Sequence, residues 1–189
     1  STRRRAARTV LDELFSCLTT WLAPIISFTA EEAWLARGED SVESIHLRRF
    51  PEIPETWRDE HLAEKWSTIR RVRRVVTGAL EVERSEKRIG SSLESAPIIF
   101  LNEDTAGELE GIDLAEVTIT SSVTIKIGTG PQNAFTLEEV PGVFVLNAKP
   151  DGSRCERCWQ FLPDVGMNND WPDTCGRCAG AVKHFAKPE

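Results

Sequence analysis

Cys155-Glu156-Arg157-Cys158-Trp159 and Cys175-Gly176-Arg177-Cys178 decide how the C-terminal part of this chain folds. Two Cys-x-x-Cys pairs separated by 16 residues have the spacing of a four-cysteine zinc site. Two residues between thiolates let both sulfurs turn onto one tetrahedral ion at about 2.3 Å. The candidate ligands are Cys155, Cys158, Cys175 and Cys178. A closed four-sulfur shell leaves no open position for water, so one structural Zn ion is expected. Four thiolates around one Zn²⁺ leave net negative charge, which the neighbouring Arg154, Arg157 and Arg177 can offset. Two redox disulfides are the alternative reading of the same cysteines. A segment of about 35 residues with few large apolar side chains needs such an ion to fold.

Trp159 directly follows the second cysteine. It is either the core of this small element, a role for which Phe161 and Trp171 compete, or an exposed stacking platform. As a platform, with the planar Arg157 guanidinium beside it, it suits an unstacked nucleic-acid base.

Upstream, the texture is that of a small acidic α+β unit. Residues 91–149 sum to −7. Ile98-Ile99-Phe100-Leu101, Val117-Thr118-Ile119-Thr120, Val123–Ile127 and Val143-Phe144-Val145-Leu146 are apolar or β-branched runs that predict four strands. A short helix is expected within residues 103–115.

Before this unit lies the one strongly basic segment, residues 65–90, at +5 in a chain of −7. Leu62, Trp66, Ile69, Val72, Val76 and Leu80 step by three or four and predict a long helix. Arg70, Arg71, Arg73 and Arg74 occupy its other faces. Gly78 costs that helix about 1 kcal/mol relative to alanine without breaking it. A polyanion would be held at this segment and repelled elsewhere; a solvated face balancing acidic neighbours is the plainer reading.

The N-terminal third is also helical. Val10, Leu11, Leu14, Leu18, Trp21, Leu22 and Ile25 predict a helix with one broad buried face, which Pro24 ends. Cys17 lies on that face and reads as core. Thr29 and Glu32 have the spacing of a capping box opening a short helix that Gly38 stops. Residues 39–56 read as a loop with one short strand at Ile45-His46-Leu47. The fold class is therefore α+β: helices, then a small mixed α/β unit, then a four-cysteine zinc-binding knob.

Composition sets the outer limits. The 189 residues are 40% apolar and 28% charged, enough for a core in one domain or two small ones. The longest uncharged stretch, Leu14–Ala30, carries serines, threonines and Pro24, so it reads as a buried helix and turn and not a membrane span. No signal peptide opens the chain, and five clustered cysteines do not make a disulfide scaffold; the cytosol is the expected compartment. The chain starts at Ser1 and its only methionine is Met167, so a processed chain or a piece of a longer protein is expected. There is no glycine-rich phosphate loop of the Walker or Rossmann type, and His46, His61 and His184 are scattered. No catalytic residue is assigned, and the chain reads as a binding module.

Three stretches together resemble one family. Trp21-Leu22-Ala23-Pro24-Ile25-Ile26-Ser27-Phe28-Thr29-Ala30-Glu31-Glu32-Ala33-Trp34 is similar to the helix-to-helix stretch in the anticodon-binding domain of bacterial isoleucyl-tRNA synthetases. Arg84-Ser85-Glu86-Lys87-Arg88-Ile89-Gly90-Ser91-Ser92-Leu93-Glu94 resembles the segment closing that domain. The two cysteine pairs, with Asp164-Val165-Gly166 between them, resemble the C-terminal zinc element. The resemblance covers nearly the whole chain; the first stretch alone is shared more loosely with the valyl and leucyl enzymes.

The resemblance implies a class I aminoacyl-tRNA ligase whose catalytic core, with its ATP and Mg, and whose editing domain would lie upstream of Ser1. This piece alone is then expected to be inactive. It implies residues 1–90 as the end of an anticodon-binding helical bundle, 91–150 as a small α+β junction and 151–189 as a zinc-finger element. The partner is the anticodon stem-loop of isoleucine tRNA, with no membrane and no DNA, in a monomeric parent enzyme. In the family, the Arg and Trp of the Cys-x-Arg-Cys-Trp motif approach the anticodon; they match Arg157 and Trp159. Arg70, Arg74, Lys87 and Arg88 are the candidate RNA contacts of the basic segment. A generic zinc-ribbon module binding nucleic acid or protein, and the finger region of a formamidopyrimidine-type DNA glycosylase, are the alternatives.

Overall fold

Helix α1 (Thr2–Leu22) is followed by a turn at Pro24 and by helix α2 (Ser27–Leu35) in this computed structural model, which describes residues 2–38 and 43–185. Two units divide the chain, residues 1–59 and 60–189. In the first, Ala23, Ala30, Trp34 and Ile45 form a small core with Phe15 against it. Trp34 stacks on Phe15 at 6.3 Å between ring centroids and donates its indole N–H to the Glu43 carbonyl at 2.8 Å. Cys17 is buried, in keeping with its reading as core.

Three expectations fail in this unit. The broad apolar face of α1 is not covered: Val10, Leu11, Leu14 and Leu18 are exposed among the described residues. The short elements packed on α1 bury only a few of its 21 residues. Thr29 caps nothing. The chain re-enters helix directly after the Pro24 turn, with Ile26 at the N-cap position and no side-chain cap, so Thr29 lies inside α2. Ile45–Leu47 is a 3₁₀ turn and not a strand. Its free N–H groups are taken by side chains: Ser44 Oγ accepts from His46 N, and Glu31 Oε2 from Ile45 N at 2.8 Å. Residues 39–42 of the same loop lie outside the described residues.

Helix α3 (Glu60–Ser85) opens the second unit. Its buried stripe is Thr68, Ile69, Val72, Val75, Val76, Ala79 and Leu80, while Leu62 and Trp66 are exposed. The helix closes with Lys87 in the left-handed region at φ 59°, and Arg88 N–H returns to the Glu83 carbonyl at 2.9 Å.

The stripe packs on a four-stranded sheet made of β1 (Ile98–Leu101), β2 (Thr124–Ile127), β3 (Phe135–Leu137) and β4 (Val140–Leu146), in the order β2-β1-β4-β3. Ile99 pairs with Val145 across the antiparallel β1–β4 ladder, and both join the core of Ile69, Val72, Val75 and Val76. Strands β1 and β2 run parallel, so the chain must cross over between them.

The crossover overturns the strand expected at Val117–Thr120. It consists of α4 (Glu103–Glu108) and α5 (Leu114–Thr118). Asp113 caps α5 by accepting from Glu116 N at 3.1 Å, and Ile119 ends it with a left-handed φ of 58°. The β-branched residues follow a cap and a topological need that outweigh their strand preference. The helix expected within 103–115 is α4, and α5 begins only at the end of that range. Strand β3 and the C-terminal knob's β5 (Ser153–Arg154) and β6 (Phe161–Leu162) are too short to carry a periodic signal of their own, and the knob ends in α6 (Gly176–Phe185).

Candidate metal centre and nucleic-acid interface

The knob is organised by its turns. β5 and β6 pair as a two-stranded ribbon, which brings the first knuckle, 155–158, back toward the chain ahead of it. Gly152 sits at φ 92°, where a Cβ would meet the Leu162 carbonyl oxygen at 2.2 Å, so only glycine fits against β6. Asp164 Oδ2 accepts from Gly176 N at 2.8 Å and holds the start of α6, on which the second knuckle lies. This gives the Asp164-Val165-Gly166 stretch a structural role.

The four predicted ligands converge. Cys155, Cys158, Cys175 and Cys178 bring their sulfurs within 4.8 Å of one another. A tetrahedron of sulfurs about 2.3 Å from a zinc ion has edges of about 3.8 Å. Cys158 Sγ and Cys175 Sγ are 3.8 Å apart. The donor set and its dimensions therefore fit one Zn ion.

The knob also supplies positive and polar groups around the sulfurs. Burial raises the Cys155 thiol, but N–H groups of Cys158, Cys175 and Arg157 outweigh it and bring the thiol down to about 6. Burial pushes Cys175 up to about 12 and raises Cys158 as well, so a cation at the centre would be needed to hold these two as thiolates. Arg157 donates to Cys178 Sγ at 3.6 Å. Arg177 is raised by its hydrogen bond to Cys158 and also donates to Gln160 Oε1 at 3.0 Å. Arg154 pairs with Glu156 at 2.9 Å.

Trp159 is 62% exposed, while Phe161 and Trp171 are half-buried. Its backbone is left-handed, φ 65°, a region that bulky residues rarely adopt. The core of the knob is instead its sulfurs with Leu162 and Val165. Arg157, two residues earlier, is also exposed. The Trp159 ring thus faces solvent at the first knuckle, while the Arg157 guanidinium turns to the Cys178 sulfur.

The basic segment is less uniform than its composition. Arg70 is exposed and has no ion-pair partner among the described residues. Arg73 donates to the Val117 carbonyl at 3.0 Å, and Arg74 pairs with Glu139 at 2.8 Å. Lys87 is exposed on its left-handed turn. Arg88 grips Glu83 with two bonds of 2.8 and 2.7 Å and also meets Glu86. The hydrogen bond from Arg88, aided by Asn147 against the opposing effect of burial, holds the Glu83 carboxyl below its ordinary range. Gln160, which bonds on three sides, is a knob residue that spacing alone could not single out.

Among the described residues no helix is long and apolar enough to cross a membrane. Residues 152–180 match the family described as "Zinc finger found in FPG and IleRS". An isoleucine–tRNA ligase of Agrobacterium fabrum is 49% identical over 187 residues, which is 98% of this chain and 19% of that protein. Those of Brucella abortus and Mesorhizobium japonicum are each 48% identical, over 98% and 99% of this chain and 19% of their own length. The chain thus spans about a fifth of the length of these curated relatives. Residues 1–99 match the family described as "Anticodon-binding domain of tRNA ligase"; with more than half its length in that match, the chain belongs to the anticodon-binding domain family of tRNA ligases.

Proposed function

We propose that this chain is the C-terminal, tRNA-binding region of a class I isoleucine–tRNA ligase and that it holds the anticodon stem-loop of isoleucine tRNA. The activation of isoleucine with ATP and Mg, and its transfer to tRNA, belong to the remainder of a monomeric, cytoplasmic parent. Cys155, Cys158, Cys175 and Cys178 hold one zinc ion, which fixes the knuckle and takes no part in chemistry. Residues 1–90 act as the anticodon-binding helical portion, 91–150 as the junction and 151–189 as the zinc element. Helix α3 serves the first two, since its apolar stripe packs on the junction sheet.

The observation that carries this reading is the exposed Trp159 ring, seated on a left-handed backbone directly after a sulfur ligand and two residues after the exposed Arg157. A buried core residue would not be 62% exposed, and a solvated surface position has no use for a strained tryptophan. Stacking on one base contributes roughly 1–3 kcal/mol. Arg70, Arg74, Lys87 and Arg88 would meet phosphates, which set position without reading sequence. The anticodon-domain match over residues 1–99 favours this reading over a DNA glycosylase finger or a free-standing zinc ribbon.

The test is Trp159→Ala in the parent ligase. Use of tRNA should weaken about 5- to 150-fold, from that stacking energy at 1.4 kcal/mol per factor of ten. Isoleucine-dependent ATP–pyrophosphate exchange should stay intact and zinc should be retained. Unchanged tRNA use with zinc retained would overturn the reading.

A further inference from the structure

The hydroxyl-rich stretch Thr118-Ile119-Thr120-Ser121 lies between three parts of the second unit. Thr118, Thr120 and Ser121 are all buried. Ser121 stands at the meeting point. Its N–H donates to the Ser95 carbonyl at 3.1 Å, and its hydroxyl donates to the Leu93 carbonyl, both in the segment after α3. The same hydroxyl accepts from Phe161 N of the knob at 2.8 Å.

The neighbouring knob residue completes the junction. Gln160 Nε2 donates to the Thr120 carbonyl at 3.4 Å. Its Oε1 accepts from Arg177, between the second pair of sulfurs, and its main-chain carbonyl accepts from Cys155 N at 2.9 Å. Gln160 therefore binds both knuckles and the α/β unit at once. Trp159 lies between the zinc ligand Cys158 and this anchored pair.

We propose that Ser121 and Gln160 are positioning residues that fix the angle at which the knob presents Trp159, relative to the basic face of α3. The metal alone sets the shape of the knob and not its orientation on the sheet. One hydroxyl that accepts from the knob while donating to the segment after α3 links the two RNA-facing parts through a single buried atom. The inference rests on the reading of Trp159 as an anticodon-loop contact.

The test compares Ser121→Ala and Gln160→Ala with Trp159→Ala in the 189-residue chain. The measurements are binding to an isoleucine tRNA transcript and to one with a changed anticodon, across a salt series, with zinc content determined on the same samples. Each clamp variant removes one of the hydrogen bonds that tie the knob to the α/β unit, and loss of that tie should reduce anticodon discrimination about fivefold. The salt slope and one zinc per chain should be kept, and amide exchange at Phe161 should accelerate in Ser121→Ala. Ser121→Thr, which retains the hydroxyl, should restore discrimination. If Ser121→Ala fails to fold, Gln160→Ala decides alone. Unchanged discrimination in the folded clamp variants, while Trp159→Ala loses it, overturns the clamp and leaves the anticodon reading standing. No effect from Trp159→Ala removes that reading and the clamp with it.

Discussion

Phe135 lays its ring edge on Gly78: a Cβ at Gly78 would lie 2.8 Å from Phe135 Cε1 and 2.9 Å from Cζ. The glycine that weakens α3 as a helix is where β3 closes on it. Gly78→Ala should therefore destabilise the chain. About 1 kcal/mol of helix propensity is gained, against roughly 1–3 kcal/mol for overpacking. Gly78→Val should cost more, and Gly78→Ala combined with Phe135→Leu should recover most of the loss. Denaturant midpoints of the three variants check this.

Trp159→Gly separates the backbone of the knuckle from its ring. Glycine accepts φ 65° without the penalty of about 1–2 kcal/mol carried by a side chain in that region. Zinc should be held at least as well as in the parent chain while tRNA affinity falls. Zinc release by this variant would mean that the ring supports the knob.

Removal of zinc should unfold the knob and spare the sheet. The four sulfurs are the centre of its small core, whereas Ile99, Leu101 and Val145 belong to a separate one. A strong chelator should release one zinc per chain and expose four thiols to a thiol reagent, with Cys17 still protected by burial. Amide protection should disappear across residues 152–180 and persist in β1 and β4.

Acid should act at Glu83. Its carboxyl is held below the ordinary carboxylate range, chiefly by the hydrogen bond from Arg88. A depressed folded pKa contributes stability above the unfolded value of about 4.3 and loses it as pH falls through the folded pKa. Glu83→Gln should be less stable than the parent near pH 7, with the gap closing toward pH 3. Chemical denaturation at a series of pH values measures the difference.

Arg70 and Arg74 should differ in weight. Each substitution by alanine should weaken any tRNA about equally and reduce the salt slope, by about 0.7–0.9 for each phosphate no longer neutralised. Arg70→Ala should have the larger effect, because Arg74 must first leave Glu139. An effect confined to isoleucine tRNA would contradict backbone binding.

How much of the structure is legible in the residues depends on how local the cause is. The zinc knuckles and the apolar stripe of α3 follow from spacing within a few turns of chain; the four sulfurs converge as spaced and the stripe is buried from Ile69 onward, while Leu62 and Trp66 stay exposed. The Val117–Thr120 run misleads because Asp113 caps a helix there and a parallel β1–β2 pair demands a crossover. Thr29 misleads because a cap matters only where a helix starts from extended chain, and α2 starts from a turn. Gln160 and Ser121 carry no signal at all, since their partners are 40 residues apart in sequence. Composition also overstates the cations: Arg74 and Arg88 are present in the count but tied to carboxylates in the fold.

Helix α3 has one more implication. From Arg70 to Val76, Val72, Val75 and Val76 are sealed against the sheet while the four intervening arginines face outward. Neither set has slack: a polar residue among the valines opens the core, and an acidic one among the arginines weakens the local field. Substitutions are therefore tolerated less along this rod than at the tip of the knob, where the Trp159 side chain faces solvent.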